Sequence, residues 1–175
     1  MGNHIHQLNA TFMAAEDRIL LRLNTTNKEE FRIWLTRRVM RALARKLGGA
    51  ERRLLGLENP DSGYVAPGAR AIQEFRREAS TADIDFGERF VEGSAGFPFG
   101  TEPVLATACE VRLQEGGASI SLTLNNQRAL NFALDARGLH GTLAMLQKAV
   151  ARSDWDLGEE LNSEIQPPAG PAGLH

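Results

Sequence analysis

Arg22, Arg32 and Trp34 sit at alternating positions of two short apolar runs, and Arg37, Arg38, Arg41 and Arg45 follow along a stretch of helical spacing. An indole among guanidinium groups is what a single-stranded nucleic-acid groove uses, because bases stack on the ring while the cations pair with phosphates. The same side chains also suit plain packing, with Arg22 and Arg32 lying over the Trp34 ring beneath a covering segment or a partner sheet. His4 and His6 fall on one side of an opening strand and form an H-x-H pair able to give two ligands to zinc or another divalent ion. No spacing supplies a third ligand, since His140 lies on a helix, His175 near the chain end and Cys109 on a strand. No metal site is assigned, and a metal-dependent enzyme using His4 and His6 ranks third among the functional readings.

Nucleophilic and phosphate chemistry find less support. Cys109 is in phase with Leu105, Val111 and Leu113 and reads as a small buried hydrophobe. The Gly-rich stretch from Gly93 to Gly100 lacks the Lys and Ser/Thr of a phosphate-binding loop and joins no strand to a helix. No catalytic residue and no cofactor is assigned.

The elements that carry these residues come in two similar passes, 5–47 and 105–150, each of three strands and a helix. Strand one, Ile5 to Met13, turns Leu8, Ala10 and Phe12 to one face and Gln7, Asn9 and Thr11 to the other. Strand two, Arg18 to Thr25, turns Ile19, Leu21 and Leu23 inward with Leu20 and Arg22 outward. Strand three, Glu30 to Leu35, turns Phe31, Ile33 and Leu35 inward with Arg32 and Trp34 outward. The hairpin loop Thr26-Asn27-Lys28 is expected to use Asn27 for a left-handed conformation. Thr36 is the expected N-cap of a helix whose stripe is Met40, Leu43, Ala44 and Leu47, with Gly48-Gly49 expected to stop it and Arg37 and Arg38 at the sheet edge. In the second pass Ile120, Leu122 and Leu124, then Leu130, Phe132 and Leu134, lead to a cap at Asp135. A helix with the stripe Leu139, Leu143, Leu146 and Val150 follows. Its outward strand positions, Ser119, Ser121, Thr123, Asn131 and Ala133, carry neither aromatic nor charge and suit close sheet contact.

Between the passes, 50–103 reads as an insertion packed on them. Pro60, Gly63, Pro67 and Gly68 mark a loop, and Ala69 to Ala79 reads as a helix with Ile72, Phe75 and Ala79 on its apolar side. Phe86, Phe90, Phe97 and Phe99 require cover. Residues 159–175, with Glu159-Glu160 and the Pro167 to Pro171 run, hold too few apolar groups to order themselves and read as a disordered tail.

With 175 residues and 42% hydrophobic content, one domain (1–158: first unit 4–49, insertion 50–103, second unit 104–158) is a better expectation than two small ones. One cysteine excludes an internal disulfide and fits a reducing compartment, and no apolar run is long enough to span a bilayer, so a cytoplasmic location is expected. The net charge of −2 hides an asymmetry: residues 1–53 carry 11 Lys and Arg against 5 Asp and Glu, the remainder 9 against 17. Such a split suits either a basic binding face or two mutually attracting halves.

The run Arg18 to Thr25, then Trp34-Leu35-Thr36-Arg37-Arg38, and downstream Leu139-His140 and Ser153-Asp154-Trp155, resembles a family of uncharacterised bacterial proteins over nearly all but the tail; no function comes with that resemblance. In topology, tandem sheet-then-helix units resemble the Whirly and Pur-alpha folds, which bind single-stranded DNA or RNA across four-stranded units. The expectation is therefore an α+β domain of two pseudo-symmetric βββα units acting as a binding protein. Single-stranded DNA or RNA is the preferred ligand, with Arg22, Arg32, Trp34, Arg37, Arg38, Arg41 and Arg45 as the contact residues. The alternative is a non-enzymatic protein–protein module, in which the polar second face forms a homodimer and the basic helix docks an acidic partner.

Overall fold

In the computed structural model of the protein the described residues are 4–59, 61–83, 90, 93 and 96–157. Strands β1 (Ile5–Met13), β2 (Arg18–Thr25) and β3 (Glu30–Leu35) form an antiparallel meander that leads into helix α1 (Arg37–Leu54). Helix α2 (Ala69–Asp83) follows. Strands β4 (Val104–Gln114), β5 (Gly117–Leu124) and β6 (Ala129–Asp135) form a second meander that leads into α3 (Ala136–Val150). The expected alternation holds in the first meander: Leu21 sits between Ala10 and Ile33 on the inner face, and Arg22 between Asn9 and Arg32 on the outer.

The two meanders fuse. β3 and β4 run parallel and pair at Ile33–Val104 and Trp34–Leu105, which makes one six-stranded sheet in chain order. β3 is therefore an interior strand. Beyond this short junction β3 no longer serves β4, and α1 lies against β4 instead. Lys46 Nζ donates to the Cys109 carbonyl at 2.6 Å, and Arg38 Nη2 reaches the Thr107 carbonyl at 3.5 Å. Peptide groups left open along a strand need such partners. In a matching way α3 lies against β1. The chain after α3 closes that side, with Trp155 edge-on to Phe12 at 5.6 Å between ring centres and its Nε1 donating to Asp17 Oδ1 at 2.7 Å.

Both helices bury the expected stripes: Met40, Leu43, Ala44 and Leu47 on α1, and Leu139, Leu143, Leu146 and Val150 on α3, join the inner sheet residues in one core. Thr36 Oγ1 accepts from Val39 N and Asp135 Oδ1 from Gly138 N, so each helix opens on its expected cap.

Four local expectations are corrected. α1 does not stop at Gly48-Gly49 but continues to Leu54, because Gly48, Ala50, Glu51 and Arg52 are buried and tertiary contact outweighs the poor helix propensity of glycine. Leu105 is out of phase with Cys109: a bulge between Ala106 and Ala108 sends Leu105 to the outer face beside Trp34, while Cys109 stays inside. Burial pushes the Cys109 thiol above its usual range, with Lys46 opposing in part. The left-handed residue of the first hairpin is Lys28 (φ 60°), not Asn27. Its loop has Thr25 N bonded to Glu29 O and Lys28 N to Thr25 O, a three-residue turn that requires the left-handed conformation at its third position. Finally, α2 buries Ala69, Gln73 and Arg77, while Ile72 and Phe75 point outward. The expected tail, 159–175, and Phe86 lie outside the described residues.

Losing either cap should weaken the fold without altering it. Thr36→Ala and Asp135→Ala are each expected to cost about 1 kcal/mol in urea unfolding, with Asp135→Asn retaining most of that.

Candidate functional site

On the outer face of the first meander the expected cationic residues meet an acid. Glu30 is buried, and its Oε1 accepts from Arg22 Nε at 2.9 Å and Arg32 Nε at 2.7 Å. Two guanidinium groups thus converge on one carboxylate, which keeps a charge on the sheet face without leaving it unpaired. The segment before β4 covers this cluster. Glu30 N donates to Gly96 O, Arg32 Nη1 donates to Thr101 O, and the rings of Phe90 and Phe97 lie under the guanidinium carbons of Arg22 and Arg32 at 3.8 and 4.8 Å. Phe99 packs edge-on against Phe31 at 4.9 Å, so Phe90, Phe97 and Phe99 of the insertion find their cover here. Trp34 is half-buried in the row Leu20–Trp34–Leu105 that crosses three strands.

The corresponding face of the second meander is open. Ser119, Ser121, Asn131 and Ala133 floor a shallow groove of about 460 Å³ bordered by Glu110 and Arg112, which pair with each other at 3.0 Å.

The remaining expected contacts, Arg37, Arg38, Arg41 and Arg45, ride on α1. Arg37, Arg38 and Arg45 are exposed and Arg41 is half-buried. Because α1 packs on the inner face of the sheet through Val39, Met40 and Leu43, the seven residues divide between opposite sides of it and share no single groove.

The densest polar constellation was not anticipated from the sequence. Glu51, fully buried on α1, accepts from Arg77 Nη2 at 2.6 Å and Gln73 Nε2 at 2.7 Å on α2, and its Oε1 lies 2.7 Å from His140 Nδ1 on α3. An ionised carboxylate can only accept, so the ring nitrogen facing it carries the proton. Burial by itself pushes the Glu51 carboxyl up, but hydrogen bonds from His140 and Arg77 outweigh it and hold the group below its usual range. One signal was present: Glu51 stands four residues after Leu47 and so continues the core stripe, and Gln73 and Arg77 stand four apart in line with Ala69. A histidine bonded to a carboxylate is a general-base arrangement, but catalysis needs access to substrate. The groove between α2 and α3, about 340 Å³, is lined by Arg77, Glu74, Glu78, Ala144, Lys148 and neighbours, and neither Glu51 nor His140 lines it. The cluster binds three helices together.

It also turns α2 over. With Gln73 and Arg77 drawn inward, the outward side carries Ile72 and Phe75, 42% and 68% exposed, close in sequence to Tyr64 at 60%. His4 and His6 are both exposed, and a bulge between Ile5 and Gln7 breaks the alternation invoked for them. Among the described residues no group of three or more potential metal ligands occurs, and no helix is long and apolar enough to cross a membrane.

Comparison with protein-family models, curated proteins and solved structures finds no match for this chain.

Glu51→Ala leaves Arg77 and His140 without their common acceptor and is expected to cost roughly 3–5 kcal/mol in chemical denaturation. Because the folded carboxyl titrates below its unfolded counterpart, the stability it contributes is complete above the ordinary carboxylate range and is lost as pH falls through the folded pKa. Stability measured against pH should fall more gently on the acid side in Glu51→Gln than in the natural chain.

Proposed function

We propose that this chain is a protein-interaction module whose contact surface is the outer side of α2. The observation carrying this reading is the helix's orientation: Gln73 and Arg77 are held inward on Glu51 while Ile72 and Phe75 face outward. A helix packed for its own stability buries its apolar stripe; one that exposes it fits a surface completed by a partner. The test is site-specific photo-crosslinking in the cells of origin, with a benzophenone amino acid at position 75 and, as control, at Glu115 in the β4–β5 turn. A discrete adduct from position 75 alone is expected. Equal labelling at both positions, or none, would sink the reading.

The tandem character of the fold supports the same class of function, since it offers two sheet faces with different chemistry. We infer a duplicated βββα unit. Lys28 and Gln127 occupy the same step of hairpins with identical hydrogen bonding, Thr36 and Asp135 follow them at the same distance, and each leading strand has a bulge near its start. α1 on β4 and α3 on β1 complete the correspondence.

A second reading, single-stranded nucleic-acid binding, is favoured by the exposed row Arg37, Arg38 and Arg45 on α1. On the sheet side Arg22 and Arg32 already share Glu30, so α1 is the stronger candidate for pairing with phosphates. The measurement is titration of short DNA and RNA strands at low and moderate salt. Joint Arg37→Ala and Arg45→Ala should lower the salt slope by about one for each phosphate no longer neutralised. Trp34→Ala should cost roughly 1–3 kcal/mol per stacked base only where the outer face takes part. No binding at low salt would end this reading.

A further inference from the structure

We propose that the free edge of β6 pairs antiparallel with β6 of a second copy of this chain, joining the two sheets across a two-fold axis at Phe132. This surface lies apart from α2 and is independent of the reading given above. Hydrogen bonds at the two ends of the β5–β6 ladder, Leu124 N to Arg128 O at 2.9 Å and Ala136 N to Gly116 O at 2.8 Å, set its phase. Leu130, Phe132 and Leu134 turn their peptide groups to β5, and Ala129, Asn131 and Ala133 turn theirs away. Among the described residues no hydrogen bond reaches those outward groups. Such a row is a template for another strand, and the devices that ordinarily blunt it are missing: Ala129–Asp135 holds no Lys, Arg or Pro, and its register with β5 runs without a bulge. The opposite edge, β1, is guarded by its bulge between Ile5 and Gln7, by α3 and by Trp155. One open edge and one closed edge exclude head-to-tail growth. What is left is β6 on β6, an isologous contact that closes as a dimer.

The strand also fits itself. Its seven residues are centred on Phe132. An axis there sets Asn131 against Ala133 of the second copy, exchanging both backbone bonds, and does so twice over. On the inner face Leu130 meets Leu134, and the half-buried Phe132 meets its equivalent, so the apolar layer continues from one chain into the next. Shifting the axis by one residue leaves a strand end unpaired. It also sets Leu134 against Arg128, or Leu130 against Ala136 where α3 begins. The apolar pattern therefore selects the central register and a second copy as the strand that completes it.

Sedimentation of the full chain over a range of concentrations tests this, and the natural chain is expected to reach twice the chain mass. Ala133→Pro removes an outward N–H that β5 does not use, a place where an edge strand tolerates proline. It should raise the dissociation constant roughly tenfold or more through the bonds lost on both sides of the axis. Circular dichroism should match the natural chain. A second pair of variants keeps every backbone donor and substitutes only exposed side chains. Asn131→Lys/Ala133→Lys and Asn131→Glu/Ala133→Glu should each weaken self-association, since like charges then face each other across the axis, and mixing them should give a mixed dimer. A natural chain that stays monomeric throughout, a dimer that withstands both double variants, or double variants that do not recover on mixing would overturn the proposal. None of these outcomes bears on crosslinking at position 75, so the two surfaces are judged separately.

Discussion

A single buried carboxylate, that of Glu51, holds three helices in register. Removing such a group from water costs several kcal/mol, and only close donors offset that cost. Here Arg77, Gln73 and His140 supply them from two other helices, at 2.6 to 2.7 Å. The requirement is mutual: the arginine and histidine are nearly as buried as the acid. The position of α2 is therefore set by where its donors must be, and its apolar residues face wherever that leaves them.

The sheet solves a related problem of unpaired polar groups. Two antiparallel meanders meet along a short parallel junction, after which β4 parts from β3. Cations of α1 then take over carbonyls that a neighbouring strand would otherwise satisfy. On the opposite face, Arg22 and Arg32 take up the carboxylate of Glu30 beneath aromatic cover. Much of the positive charge of the first half is thus engaged within the chain, while Arg37, Arg38 and Arg45 stand exposed on α1. The charge asymmetry along the sequence has an internal use as well as a surface one.

These arrangements separate what is closed from what is open. The polar cluster and the Glu30 face are internally satisfied. Among the described residues, surfaces left open include the outward side of α2, the arginine row of α1 and the small-residue groove over β5 and β6. A helix that turns its hydrogen-bonding side inward and its aromatic side outward departs from the pattern that stabilises an isolated chain, and such departures concentrate where a protein meets something else.

How much could be read in advance follows from the range of the forces involved. Alternation of apolar residues and capping side chains act over a few neighbours. The strands Ile5–Met13, Arg18–Thr25 and Glu30–Leu35, the caps Thr36 and Asp135, and the core stripes of α1 and α3 were therefore legible in the chain alone. So was the outward direction of Arg22, Arg32 and Trp34. The fusion of the two sheets, the bulge that moved Leu105, the continuation of α1 past Gly48-Gly49 and the inversion of α2 emerged with the folded arrangement. Each of these rests on partners distant in the chain: Glu51 and His140 are 89 residues apart, Lys46 and Cys109 63. A buried ion or an open carbonyl finds its partner through space, and no local periodicity records which one it will be.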